Sequence, residues 1–198
     1  MSSPIDPPAS LPQAANPGPL GLAGFGLTTV VLSAINAGLL PHEAVAAVVP
    51  LAFAYGGVAQ LIAGVLEFKV GNTFGMVAFT SYGLFWWWFA LLQWTIGAGW
   101  LKPPPASAAA TILLLWGIFT FLMWIVTFRL NKGVFSIFLL LWITFFLLAA
   151  ADFGHPTGKL GGYFGLATGI DAMLVAFIEV LNATAGRTII PLGDPILT

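Results

Sequence analysis

Gly133-Val134-Phe135-Ser136-Ile137-Phe138-Leu139-Leu140-Leu141-Trp142-Ile143-Thr144-Phe145-Phe146-Leu147-Leu148-Ala149-Ala150-Ala151 is an uninterrupted apolar block without a single charged side chain. Its length is close to the roughly 20 residues that an α-helix needs to cross the hydrocarbon core of a bilayer. The block does not alternate with period two, so it is not a strand of a membrane barrel. Five further blocks of the same kind flank it, at about 20–40, 44–66, 76–100, 107–129 and 162–183. The breaks between blocks are polar or proline-rich: Pro41-His42-Glu43, Glu67 to Asn72, Lys102-Pro103-Pro104-Pro105, Arg129 to Lys132, and Asp152 to Gly161. Short breaks make consecutive helices antiparallel. The pattern predicts an all-α integral membrane protein with six transmembrane helices.

Composition agrees. Apolar residues make up 59% of the chain and charged residues 7%, with a mean hydropathy of +0.99; a soluble globule carries roughly a quarter charged residues. The net charge of −1 gives no basic surface for nucleic acid. With no cysteine there is neither a disulfide framework nor a thiolate site, and no metal-ligand cluster is visible. His42 and His155 lie in separate loops and no serine has an evident base, so no enzymatic centre and no cofactor is expected. Residues 1–15 hold Asp6 and four prolines but no basic residue and no apolar run. They lack the marks of a signal peptide and read as a disordered cytoplasmic tail. Residues 16–186 form the six-helix domain and 187–198 a short cytoplasmic C-terminal tail. Placing the N-terminus inside puts Lys69, Arg129, Lys132 and Arg187 on the cytoplasmic side, against Lys102 and Lys159 outside. The positive-inside rule therefore favours N-in, C-in.

Small residues show where helices can meet. Gly21, Gly24 and Gly26 cluster in the first block, and Gly161, Gly165 and Gly169 recur every four residues in the sixth. Such surfaces let backbones approach closely. Polar residues within the blocks are the candidates for function, because a charge in the membrane is costly and seldom kept without use. Gln60, Gly64 and Glu67 share one helical face; Ala172, Val175, Ala176, Glu179 and Asn182 share another, with Asp171 one position around. Glu67, Asp171 and Glu179 are the candidate proton carriers. A snorkelling helix-end acid is the plain alternative for Glu67.

Two breaks carry helix-start chemistry. In Asn16-Pro17-Gly18-Pro19-Leu20-Gly21-Leu22 the asparagine suits an N-cap and Pro17 a first helical residue, since its missing N–H has no partner to lose there. After Gly71, Asn72 or Thr73 can start a second helix in the same way. Helix N-termini carry partial positive charge and suit an anion, so two of them near one another form a candidate anion port. A capped start to an ordinary membrane helix is the simpler reading of each.

The same residues carry a resemblance. The heptad 16–22 resembles the signature of the acetate uptake transporter family, and Gly71-Asn72-Thr73-Phe74-Gly75 with Ala78-Phe79-Thr80-Ser81-Tyr82-Gly83 is similar to its second signature. Tyr55-Gly56-Gly57, Gln60, Gly64, Leu66-Glu67, Trp116-Gly117, Phe119-Thr120 and Glu179-Val180-Leu181-Asn182 fit in order. The resemblance implies a six-helix protomer in a homohexamer, each protomer with its own path for acetate and other small carboxylates such as succinate. It places the narrow constriction on Phe25, Tyr82 and Leu141, and a small path residue linked to substrate size on Ala172. Asn16, Gln60, Asn72 and Thr73 complete the expected path, with the Tyr82 hydroxyl and helix-end N–H groups holding the carboxylate. Membrane lipids and further copies of the chain are the expected partners. Gly18 stands where such proteins most often have alanine, and Asp171 is an added acid. An acetate-binding membrane sensor or scaffold that moves no substrate is the alternative.

Overall fold

The computed structural model describes residues 14–197. The tail expected over residues 1–15 therefore lies outside the described residues except for Ala14 and Ala15. Every regular element among the described residues is helical, and six of the resulting segments are long and apolar enough to cross a bilayer. The protein is a multi-pass membrane protein. α1 is Gly18–Asn36; the second span runs His42–Lys69; α4 is Thr73–Gly97, α5 Ala106–Thr127, α6 Lys132–Asp152 and α7 Gly158–Ala185. Apolar helices gain little from burying themselves against one another in lipid, so close backbone packing must supply the cohesion.

That packing is built on glycine between α1 and α7. A Cβ on Gly26 would sit 2.7 Å from the Gly169 carbonyl, and one on Gly169 would sit 2.7 Å from the Gly26 carbonyl. Further along the seam, a Cβ on Gly162 would run into the backbone of Ala37. Of the glycine clusters read from the first and sixth blocks, Gly26, Gly165 and Gly169 face the partner helix, while Gly21 faces Phe79 of α4. Gly161 instead faces Leu148 and Leu147 of α6, while Gly24 faces the Tyr55 carbonyl in the second span.

The second span is not the plain helix its apolar block implied. A 3₁₀ turn at His42–Ala44 leads into α2, Val45–Leu51, then a π-helical stretch over Ala52–Ala59, then α3, Gln60–Lys69. Pro50 inside α2 cannot donate to the helical ladder, and Gly56 and Gly57 accept the wider turn that follows. The widened turn is held from outside: the Trp87 indole N–H donates to the Phe53 carbonyl at 3.0 Å, with the two rings stacked at 5.5 Å.

Three helices start with asparagine. Asn72 accepts from the Gly75 N–H at 3.0 Å and Asn131 from the Val134 N–H at 2.9 Å, each in the N-cap position. α1 begins one residue later than expected, at Gly18, with Pro17 already in helical conformation. Asn16 accepts from the Gly18 N–H at 2.9 Å, a two-residue reach rather than the usual N-cap span. At the other end of the chain, residues 187–197 fold back along the bundle. Asn182 accepts from the N–H groups of Ile189 and Ile190 and donates to the Ile190 carbonyl, so it clamps this segment instead of facing a lumen. The Gly193 and Leu192 carbonyls accept from the first N–H groups of α6, those of Lys132 and Gly133.

Two outcomes follow for thermal unfolding in detergent. Gly162→Val, which forces atoms into the Ala37 backbone, should abolish the folded state or lower its melting temperature steeply, while Gly97→Ala, with open space around it, should change nothing. Asn72→Ala should remove one cap, costing about 1 kcal/mol and lowering the melting temperature by roughly 2–4 °C for a chain of this size.

Candidate functional site

One end of the bundle holds a cavity of about 230 Å³, walled by α1, α3, α4, α6 and α7. Its wall has a regular construction. At the rim stand Gly18 of α1, Glu67 of α3, Gly75 of α4, Val134 of α6 and Glu179 of α7. Seven residues from each of these, two helical turns along the same face, come Phe25, Gln60, Tyr82, Leu141 and Ala172. At 1.5 Å per residue the second level lies about 10 Å deeper. Antiparallel helices reach the same depth from opposite chain directions, which is why the offset is +7 on α1, α4 and α6 and −7 on α3 and α7.

The rim is polar. The point where a Gly18 Cβ would sit is 3.2 Å from Glu179 Oε2 and 3.6 Å from Glu67 Oε1, and those two distances bound the separation of the carboxyls. Asn16 donates to Glu179 Oε2 at 3.2 Å, and the Asn72 side chain hydrogen-bonds Glu67. Glu67 is 2% exposed, so it does not snorkel to the surface as the plain alternative had it. At Gly75 the space for a Cβ is taken by the Asn72 amide and the Glu67 carboxyl, both at 2.7 Å. Glycine at 18 and 75 is therefore what lets two asparagines and two acids share one rim.

The first-turn donors of α1 are all used within the protein. The Gly18 N–H goes to Asn16, those of Leu20 and Gly21 go to the Pro17 carbonyl, and Pro19 has none. The heptad thus supplies a helix dipole and two anchored side chains rather than free N–H groups for an anion. This corrects the expectation that its N–H groups would hold a carboxylate.

The floor is apolar and aromatic. Phe25, Tyr82 and Leu141 are all buried and all line the cavity. The Phe25 and Tyr82 rings are 5.7 Å apart, and Phe138, one turn before Leu141, stands 6.0 Å from Tyr82 and 5.1 Å from Phe74. Among these rings one polar group lacks a partner: Gln60 is 1% exposed and its Oε1 accepts no hydrogen bond. An amide can present either its oxygen or its NH₂ to a guest by turning about its last bond. The Tyr82 hydroxyl does not share that freedom. It lies 2.9 Å from Thr120 Oγ1, whose single proton goes to the Trp116 carbonyl at 2.7 Å, so Tyr82 donates to Thr120. The expectation that this hydroxyl faces a carboxylate is corrected accordingly: Tyr82 offers the cavity its ring.

Of the residues expected on a path, Asn16, Phe25, Gln60, Glu67, Asn72, Tyr82, Leu141 and Glu179 all line this cavity. Three do not. Thr73 is exposed at the start of α4 and points elsewhere. Ala172 is fully buried at the depth of the floor but is not among the lining residues. Asp171 accepts from Ser136 Oγ at 2.6 Å across the α6–α7 contact, away from the lining. Gly64, on the face of Gln60 and Glu67, packs against Thr80. Phe138, Phe74 and Asn131 are lining residues that the sequence reading passed over. Asn131 stands three residues ahead of Val134 as Asn72 stands ahead of Gly75, and that repeat was the available signal.

Comparison with known proteins gives the family. Residues 3–193 match the GPR1/FUN34/yaaH family. The Escherichia coli succinate-acetate/proton symporter SatP is 38% identical over 182 residues, which cover 91% of this chain and 96% of that protein. Acetate permease A of Emericella nidulans is 40% identical over 189 residues, 87% of this chain and 61% of the permease. A solved structure of the bacterial acetate channel SatP superimposes with a TM-score of 0.87 at 38% identity, covering 91% of this chain and all of that one. The chain belongs to the GPR1/FUN34/yaaH family.

Proposed function

We propose that this protein carries acetate, and to a lesser extent small dicarboxylates such as succinate, across the plasma membrane through the cavity of each protomer. The observation that carries the reading is the combination of a polar, two-acid rim with an apolar floor holding one amide, Gln60, whose oxygen has no partner. Acetate is a methyl group joined to a carboxylate. The rings of Phe25, Tyr82 and Phe138 with Leu141 accept the methyl, and the Gln60 amide donates to the carboxylate at that depth. SatP, a succinate-acetate/proton symporter by name, and acetate permease A support the choice of substrate.

With N-in, C-in orientation the cavity faces the cytoplasm, because α1, α4 and α6 start at its rim and α3 and α7 end there. Six protomers assemble into a homohexamer, each with a separate path, surrounded by membrane lipid. Transport is linked to protons through the rim. Glu67 and Glu179, when ionised, repel an incoming carboxylate; protonation of the pair removes that repulsion, so flux follows the proton load of the rim. Asn16 and Asn72 hold the two acids in place in either state. Asp171, tied to Ser136 away from the lining, has no direct part in this step. Leu141 sets the width, and Ala172, buried at the same depth on α7, leaves room there that a larger side chain would fill.

Uptake of labelled acetate into proteoliposomes, measured against protein-free vesicles, tests the proposal. Wild-type uptake should accelerate on acidification and saturate with acetate; the Glu67→Gln/Glu179→Gln double variant should lose the acid stimulation. Binding of acetate without any flux would replace the transporter by a membrane sensor. Leu141→Ala should raise the ratio of succinate to acetate flux about tenfold, the scale on which added pocket volume changes discrimination. An unchanged ratio would remove Leu141 from the constriction.

A further inference from the structure

Tyr82 is the most enclosed ring of the floor, and what fixes it lies outside the five helices that wall the cavity. Its ring is 5.7 Å from Phe25, 5.7 Å from Trp116, 5.8 Å from Phe119 and 6.0 Å from Phe138. Its hydroxyl passes through the wall to α5, where Thr120 accepts its proton and relays its own to the Trp116 carbonyl. Thr120 is fully buried and lines no part of the cavity. Phenylalanine at position 82 would fill the same volume without a polar atom to satisfy. A tyrosine there creates a need for a partner, and α5 supplies it with one side chain.

We propose that Thr120 is a positioning residue for selectivity: by holding the Tyr82 hydroxyl in the α5 wall, it keeps the Tyr82 side of the constriction apolar, where the substrate methyl rests, so that the passage favours a methyl group over a hydroxymethyl group. The inference rests on the carboxylate-transport reading for its consequence, though not for its geometry. Removing the Thr120 hydroxyl while keeping its shape, as in Thr120→Val, leaves a buried O–H without an acceptor. A buried unpaired donor is costly, so the side chain swings about its Cα–Cβ bond to bring the hydroxyl to the polar side of its surroundings, which is the cavity. A hydroxyl in the constriction then offers a partner to substrates that carry one themselves. Acetate and glycolate, which differ by a single hydroxyl, report this directly.

Two readouts test the proposal. Tyrosine Raman bands in detergent distinguish a donating phenol from an unpaired one, and the contribution of Tyr82 among the three tyrosines is isolated by difference against Tyr82→Phe. Thr120→Val should alter that contribution, while Thr120→Ser, which keeps the hydroxyl, should retain it. In proteoliposomes the acetate-to-glycolate flux ratio should fall about fivefold in Thr120→Val, the worth of roughly one hydrogen bond, and remain near wild type in Thr120→Ser. Adding Thr120→Val to Tyr82→Phe should change the ratio no further. An unchanged Raman contribution, or a Thr120→Val effect that persists in full without the Tyr82 hydroxyl, overturns the proposal. A packing role alone predicts no selectivity change in Thr120→Val, because the two side chains have the same shape. Absence of acetate flux in the wild type counts against the transport reading and against the selectivity consequence, while the Raman result still decides the positioning.

Discussion

A polar group inside a bilayer has no water to bond with, so every donor and acceptor in the spans must find its partner within the protein. Much of this structure follows from that requirement. Buried threonines return their protons to the preceding turn, as Thr28 does to the Gly24 carbonyl at 2.8 Å and Thr144 to the Leu140 carbonyl at 2.8 Å. The helix starts at Asn16, Asn72 and Asn131 are closed by their own side chains. The widened turn in the second span is met by the Trp87 indole. Among the described residues five buried side-chain atoms lack a partner, on Thr29, Gln60, Trp86, Trp124 and Trp142, and only Gln60 of these lines the cavity, where turning its amide presents the NH₂ to a carboxylate.

The requirement also separates the tasks of the two cavity levels. The rim gathers groups that are expensive in lipid, two carboxyls and two amides, and glycine at positions 18 and 75 makes room for them. The floor, about 10 Å deeper, is made of groups that cost nothing in lipid and that resist a hydrated ion. A carboxylate passing from one to the other exchanges charge-dipole contacts at the rim for a single amide at the floor. The step is feasible only if the rim does not repel it, and that gives the paired acids their role. The α1–α7 glycine seam makes the spacing exact enough to matter, since it fixes Gly18 and Phe25 against Glu179 and Ala172.

Much of this was legible in the sequence, for physical reasons that can be named. Six apolar stretches of spanning length with so few charges are membrane helices, and the spans follow them to within a few residues at each end. The Asn72 cap and the i, i+7 spacing of Gln60 and Glu67 depend on local geometry alone, so sequence carries them. What depends on how two distant helices meet was not legible. Asp171 and Ala172 lie next to each other on α7, and a face read at 100° per residue does not say which neighbour turns inward; packing against Ser136 decides it. The direction of the Tyr82 hydroxyl depends on Thr120, 38 residues away on another helix. The π-helical stretch in the second span left only Pro50 and a glycine pair as traces, and both are common in ordinary membrane helices.

The central claim is that a small carboxylate rests with its apolar end among the rings at the cavity floor. A structure of the full chain with bromoacetate, located by the anomalous signal of bromine, tests it most directly. The account predicts a bromine peak between Phe25, Tyr82 and Leu141, with the carboxylate on the Gln60 amide. A peak confined to the rim or to the lipid-facing surface, with the floor closed and empty, would contradict it.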